Sequence, residues 1–85
     1  MSGDGNKVKR IEILGPGCAK CQQLAAAAEE AARELGLQYE LAKVTEIDKI
    51  IQYGVMMTPA LVVDGVVKDY GRVPTRDELK RMLAN

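Results

Sequence analysis

"GPGCAKC" (Gly15–Cys21) lies where one periodicity stops and another starts, and it holds the only two cysteines of the 85-residue chain. The run before it, "KVKRIEIL" (Lys7–Leu14), is short and rich in β-branched residues. It reads as a strand ended by Gly-Pro-Gly. The run after it, "CAKCQQLAAAAEEAAREL", is built from strong helix formers and starts at Cys18. Leu24, Ala27, Ala28, Ala31 and Leu35 recur at helical spacing and mark its buried face. The small alanines call for close packing, and Gly36 follows as a C-terminal cap. A strand that turns into a helix through a loop bearing two thiols sets the frame for everything downstream.

"LQYELAKV" (Leu37–Val44) reads as a second strand. Thr45 is placed to cap a short helix, with Glu46 and Asp48 favourable in its first turn. Ile47, Ile50 and Ile51 are its expected apolar face, and Gly54 its stop. In "PALVVDGVVKDY", two apolar β-branched runs flank Asp64-Gly65, a preferred two-residue hairpin turn. Thr75 and Glu78 then form a capping box, and Leu79, Met82 and Leu83 give the last helix its apolar face. The order is β-α-β-α-β-β-α. The strands flanking the first helix should be parallel, through a right-handed crossover, and the last pair antiparallel. The expected α/β fold is a mixed four-stranded sheet with helices on both faces. One domain over residues 7–85 follows a polar, Gly-rich tail at residues 1–6.

Composition narrows the function. Hydrophobic residues make up 47% of the chain, enough for one compact core, and charged residues 28%, which solvates the surface. Lys plus Arg balance Asp plus Glu at 12 each, so no basic field exists to hold nucleic acid or an anionic membrane. No apolar run approaches the roughly 20 residues that span a bilayer. No signal-like apolar segment follows the N-terminus, so the expected compartment is the cytosol, where structural disulfides are rare.

With Cys18 at the helix start, Cys21 lies one turn further along nearly the same face, about 5–6 Å away and within disulfide reach. A bridge there ties one turn to itself and closes only a tiny loop, so it makes a poor structural staple. The position favours chemistry instead. Helix N-terminal amides stabilise a Cys18 thiolate, the nucleophilic form. Cys21, deeper in the helix, is placed to attack a mixed disulfide formed at Cys18 and release the product. Gly15, Pro16 and Gly17 make a small-residue entry that leaves the first sulfur accessible. A c-type haem site needs His after the second Cys, where Gln22 stands, and a closed zinc site needs four ligands. A two-coordinate soft-metal site for Cu(I), Hg(II) or As(III) uses the same two sulfurs and stays open beside the redox dithiol. No other metal site and no separate cofactor is expected.

"YGVMMTPALVV" adds a second element, with Thr58-Pro59 just before a strand. Together with "GPGCAKC" it resembles the thioredoxin fold family, in particular the small, glutaredoxin-sized redox-active disulfide proteins of archaea and bacteria. The resemblance covers Lys7 to Asn85. It implies thiol–disulfide oxidoreductase activity on disulfide-containing proteins, with Cys18 as nucleophile and Cys21 resolving. It also implies a cis Pro59 whose loop lies against Cys18, and a Thr58 backbone that, with Gly17, borders the bound substrate segment. Gly17 replaces the Trp before thioredoxin's first Cys, and Ala19-Lys20 replaces Gly-Pro. The glutathione-holding stretch of glutaredoxins is only echoed, by Gly71 and Asp77. The implied electron donor is therefore a thioredoxin-reductase-like protein rather than glutathione, acting on a monomer. Lys20 is a cation in the first helical turn, and Glu12 falls where thioredoxin has a buried acid; both are candidate modulators. The plainer readings are a solvated helix residue and a partly exposed strand residue. Met56 and Met57 are expected to pack around the site as adaptable apolar surface.

Overall fold

The computed structural model describes residues 8–84. The expected tail at residues 1–6, with Lys7 and Asn85, lies outside them. The elements are β1 (Lys9–Leu14), α1 (Ala19–Glu34), β2 (Tyr39–Val44), α2 (Ile47–Gln52), β3 (Ala60–Val63), β4 (Val66–Tyr70) and α3 (Arg76–Ala84), in the expected order. The strands form one sheet, β2-β1-β3-β4. β1 and β2 run parallel, with Leu14 opposite Val44, while β3 runs antiparallel to β1, with Leu14 opposite Ala60. That register brings the exit of β1 and the entry of β3 to the same end of the sheet. The Gly15–Cys18 loop and the Pro59 loop therefore meet.

The strand alternation fills two layers. Ile11 and Ile13 of β1 and Leu61 and Val63 of β3 face α1 and α3, where Leu24, Ala28, Ala31, Leu79 and Leu83 complete the larger core. Leu14, Ala60 and Val62 face the other way, onto Ile50 and Val55. The helices thus cover both faces. Ala28, Ala31 and Ala32 are wholly buried, which lets the α1 backbone lie close to the sheet. Each fully buried leucine contributes about 1.5–3 kcal/mol. Arg76 reaches Glu30 (2.7 Å) and Lys80 reaches Glu34 (2.6 Å), pairing α3 with α1 across the surface. Among the described residues no helix is long and apolar enough to cross a membrane.

The punctuation follows local chemistry. Asp64 and Gly65 have φ of 51° and 83°, both positive, as a type I′ hairpin turn requires. The Thr75 amide donates to Glu78 (2.9 Å) and the Glu78 amide to Thr75 Oγ1 (3.3 Å), a reciprocal capping box. Gly36, at φ 69°, closes α1. Its amide returns to the Arg33 carbonyl and that of Leu37 to the Ala32 carbonyl, both at 3.0 Å. This return delays β2, which begins at Tyr39 and not at Leu37.

Three expectations are corrected. Glu46, not Thr45, occupies the N-cap of α2, and it makes no side-chain cap bond; the Lys49 and Ile50 amides return to its carbonyl. Ile50 alone of the α2 isoleucines is buried, with Ile47 59% and Ile51 63% exposed. A helix of six residues touches the sheet along one edge, so only one isoleucine reaches Leu14 and Val62. On α1, Ala25 and Ala32 are buried, while Ala27 and Leu35 are only partly so.

Candidate active site

Cys18 is the N-cap of α1, with extended backbone (φ −70°, ψ 171°) and no side-chain cap bond. Its carbonyl accepts the Gln22 amide at 3.0 Å, so the helix begins at this residue while its sulfur stays exposed. Cys21 is one turn inside and only 5% exposed. The two Sγ atoms are 3.0 Å apart, as free thiols. The strand-to-helix turn thus produces one accessible sulfur and one sheltered sulfur in direct contact.

The environment separates their acidities. Cys18 is lowered, first by the hydrogen bond from the Cys21 thiol, then by the Cys21 amide and further helix-start amides. Cys21 is raised, first by burial, then by donating to Cys18. The first turn of α1 carries no acidic residue, so no carboxylate competes with the thiolate for the positive end of the helix. Of the two sulfurs, the arrangement makes Cys18 the readier to ionise, its thiolate held by a Cys21 thiol.

Gly15 shapes this contact. A Cβ on Gly15 would lie 2.2 Å from Cys21 Sγ, so the sulfur occupies the volume that any other residue would need. The same Cβ would lie 3.6 Å from Thr58 Cβ, which brings the two loops together at the buried thiol. Thr58 is exposed and Pro59 is buried. The peptide bond between them is cis, and the Pro59 carbonyl accepts the Gly71 amide at 2.8 Å. On its other side Cys21 borders a small cavity of about 60 Å³, lined also by Gln22, Lys43 and Thr45. The sequence placed none of these three residues at the site. Lys43 and Thr45 arrive from β2 through the parallel pairing, and no local pattern marks them.

The other candidates divide. Gly17 stands exposed at φ 95°, with open space where a side chain would be, and its carbonyl lies 3.4 Å from Gln22 Nε2. Lys20 is exposed, and it acts on Cys18 through its backbone amide. Glu12 is half-buried on the α2 side of the sheet, where Tyr53 Oη donates to it at 2.5 Å. That bond, followed by burial, raises the Tyr53 hydroxyl. Glu12 lines a cleft with Val44, Lys49, Gln52 and Tyr53, whereas the cavity at Cys21 opens beside Ile13 on the α1 side. The structure therefore groups Cys18, Cys21, Gly17, Thr58 and Pro59 at one end of the sheet and sets Glu12 on the far face.

Comparison with known proteins places the whole described domain in one family. A sequence profile of the thioredoxin domain matches residues 9–84. A thioredoxin of Methanothermobacter thermautotrophicus is 44% identical over 75 residues, covering 88% of this chain and 97% of that protein. A thioredoxin of Methanocaldococcus jannaschii is 37% identical over 73 residues, covering 86% of this chain and 84% of that one. A probable thioredoxin of the first organism is 34% identical over 76 residues, covering 85% and 88%. The matched span takes in the dithiol, the Pro59 loop and every strand and helix between and around them. The chain belongs to the thioredoxin domain family, and its activity is that of a thiol–disulfide oxidoreductase.

Proposed function

We propose that the protein reduces disulfides of other proteins, with Cys18 as the attacking sulfur and Cys21 as the resolving one. The observation that carries this assignment is the 3.0 Å contact between an exposed and a buried sulfur. The Cys18 thiolate attacks one sulfur of the substrate disulfide. A Cys18–substrate bond forms, the substrate S–S bond breaks, and the other substrate sulfur leaves as a thiolate. Once Cys18 has lost its charge, the Cys21 thiol has no anion to hold. Cys21 gives up its proton to water and attacks Cys18 Sγ; an S–S bond of about 2.05 Å replaces the contact, the Cys18–substrate bond breaks, and the second substrate sulfur departs as a thiolate. Thr58 and Gly17, exposed beside the dithiol, border the path of the substrate segment.

A reductase of the thioredoxin-reductase class restores the dithiol. One residue supports that donor over glutathione: Gly71, an echo of the glutathione-holding stretch, is packed against Met57. The protein acts as a monomer in the reducing cytosol, where such a donor is available. The test is trapping. With a protein disulfide, Cys21→Ser should accumulate an adduct on Cys18 detectable by mass spectrometry, and Cys18→Ser should be inactive. An adduct on Cys21 in the Cys18→Ser protein would reverse the roles. Tight one-to-one Cu(I) or As(III) binding with no turnover would replace the oxidoreductase by a soft-metal carrier.

A further inference from the structure

Met56 is 94% exposed and Met57 57%. Methionine is usually among the buried residues, so two in succession in water call for a reason. They lie between α2 and Pro59, at the sheet end that carries Cys18. Met57 is not loose. A methyl group placed on Gly71 would lie 3.3 Å from Met57 Cε and 3.5 Å from its Sδ, so the thioether rests on the Gly71 backbone. The Gly71 amide in turn donates to the Pro59 carbonyl at 2.8 Å. Met57 thus packs on the residue whose amide ties the Pro59 loop to the end of β4. Met82 is different, half-buried against the main core.

We propose that Met56 and Met57 are a peroxide-sensitive part of the substrate-docking surface, at which oxidation of the thioethers to sulfoxides weakens capture of protein disulfides and spares the dithiol chemistry. This rests on the oxidoreductase reading and adds to it a modification site and an oxidant class. A hydroperoxide transfers one oxygen to the sulfur. The S–O bond forms, the O–O bond breaks, the sulfur gives up two electrons, and water or an alcohol leaves.

The cysteines survive the same oxidant. A Cys18 sulfenic acid condenses with Cys21, 3.0 Å away, releasing water and giving the disulfide that the ordinary donor reduces. Neither methionine has such a partner sulfur in its oxidised form, so its lesion persists while the dithiol resets. At Met56 the sulfoxide turns an adaptable apolar contact into a polar one. At Met57 the added oxygen also disturbs the seat on Gly71.

The test treats the disulfide form with hydrogen peroxide, so that the cysteines are shielded, and then removes the peroxide and reduces the protein. Peptide mapping locates the added oxygens, and circular dichroism checks the fold. Turnover of insulin and of a small aromatic disulfide is measured before and after treatment. Wild type, Met56→Leu, Met57→Leu and the double variant each serve as their own reference, leucine being close in volume. For wild type we expect insulin kcat/KM to fall about fivefold, through KM, the scale of one lost apolar contact. The small disulfide should stay within about twofold, because it needs no docking surface of this size. The double variant should keep its untreated insulin rate. Mapped sulfoxides with unchanged insulin turnover would overturn the proposal, as would an equal loss in the double variant. An untreated protein that turns over neither substrate would overturn the oxidoreductase reading and this proposal with it.

Discussion

Gly15→Ala should damage the dithiol through a single contact. The new Cβ would sit 2.2 Å from Cys21 Sγ, against an ordinary contact of about 3.5–4.0 Å, so the two must separate by roughly 1.3–1.8 Å. Cys21 Cβ at 3.4 Å and Thr58 Cβ at 3.6 Å leave the methyl group otherwise tolerable room. The sulfur therefore moves, or the loop does. If the sulfur moves, the 3.0 Å contact that chiefly lowers Cys18 is lost, and its acidity returns toward that of an ordinary thiol. Overpacking of this kind costs about 1–3 kcal/mol. For a domain of this size each kcal/mol lowers Tm by roughly 4–8 °C. Three measurements decide it: the pH midpoint of Cys18 alkylation, the lifetime of the mixed disulfide, and Tm. The midpoint should rise, the adduct should live longer, and Tm should fall. In a Cys21→Ala background the same substitution meets no sulfur, so its stability cost should vanish in a double-mutant cycle. A cost that persists without the sulfur, or an unchanged Cys18 midpoint in Gly15→Ala, would refute the account.

Wild-type Cys18 should alkylate with a midpoint below the free-thiol value of about 8.5, and Lys20→Ala, which keeps the amide, should leave that midpoint in place. Arg72 and then the Thr75 amide hold Glu78 down from 4.5 to about 2, so its contribution to stability is complete above pH 4.5 and fades as the pH falls toward 2. Glu78→Gln should flatten acid unfolding across that window, as circular dichroism against pH would show. Ile50→Ala should cost about 2–5 kcal/mol in denaturant unfolding, whereas Ile51→Lys, on the exposed side of the same helix, should cost less than about 0.5.

The parts legible in the sequence are those whose chemistry is local. Asp64-Gly65, Gly36 and the Thr75/Glu78 pair each specify a conformation within a few residues, and each does so in the structure. The centre of the α1 stripe, Leu24, Ala28 and Ala31, was readable because sixteen residues give several repeats of the helical period, while its edges fell at Ala25 and Ala32 instead of Ala27 and Leu35. Ile47 and Ile51 misled because a six-residue helix offers less than two turns, too few to show which side meets the sheet. At the site, the two cysteines announced themselves by spacing, whereas Thr58-Pro59 was tied to them only through the resemblance to the thioredoxin fold. Glu12 could be located on a strand, but its hydrogen bond to Tyr53 joins residues 41 apart. The requirement for Gly15 was equally hidden. Three small residues precede Cys18, and only the packing shows which one lies against the buried sulfur.

The two faces of the sheet are unequally clothed, and this bears on how the molecule breathes. The α1–α3 face is closed by two helices and a broad core, while the other relies on Ile50 and Val55 above Leu14, Ala60 and Val62. Local opening follows the weakest layer, because its free energy is set by the few apolar contacts that must be exposed. The segment from α2 to Pro59 is therefore the region that a small fluctuation can lift, leaving the sheet and α1 intact. Amides there should exchange with solvent well before those of β1 and β3. One wall of the catalytic end is thus pliant beside a firmer one that bears both sulfurs, and in the reduction of protein disulfides proposed above this would accommodate differently shaped surfaces without disturbing the distance on which the chemistry depends.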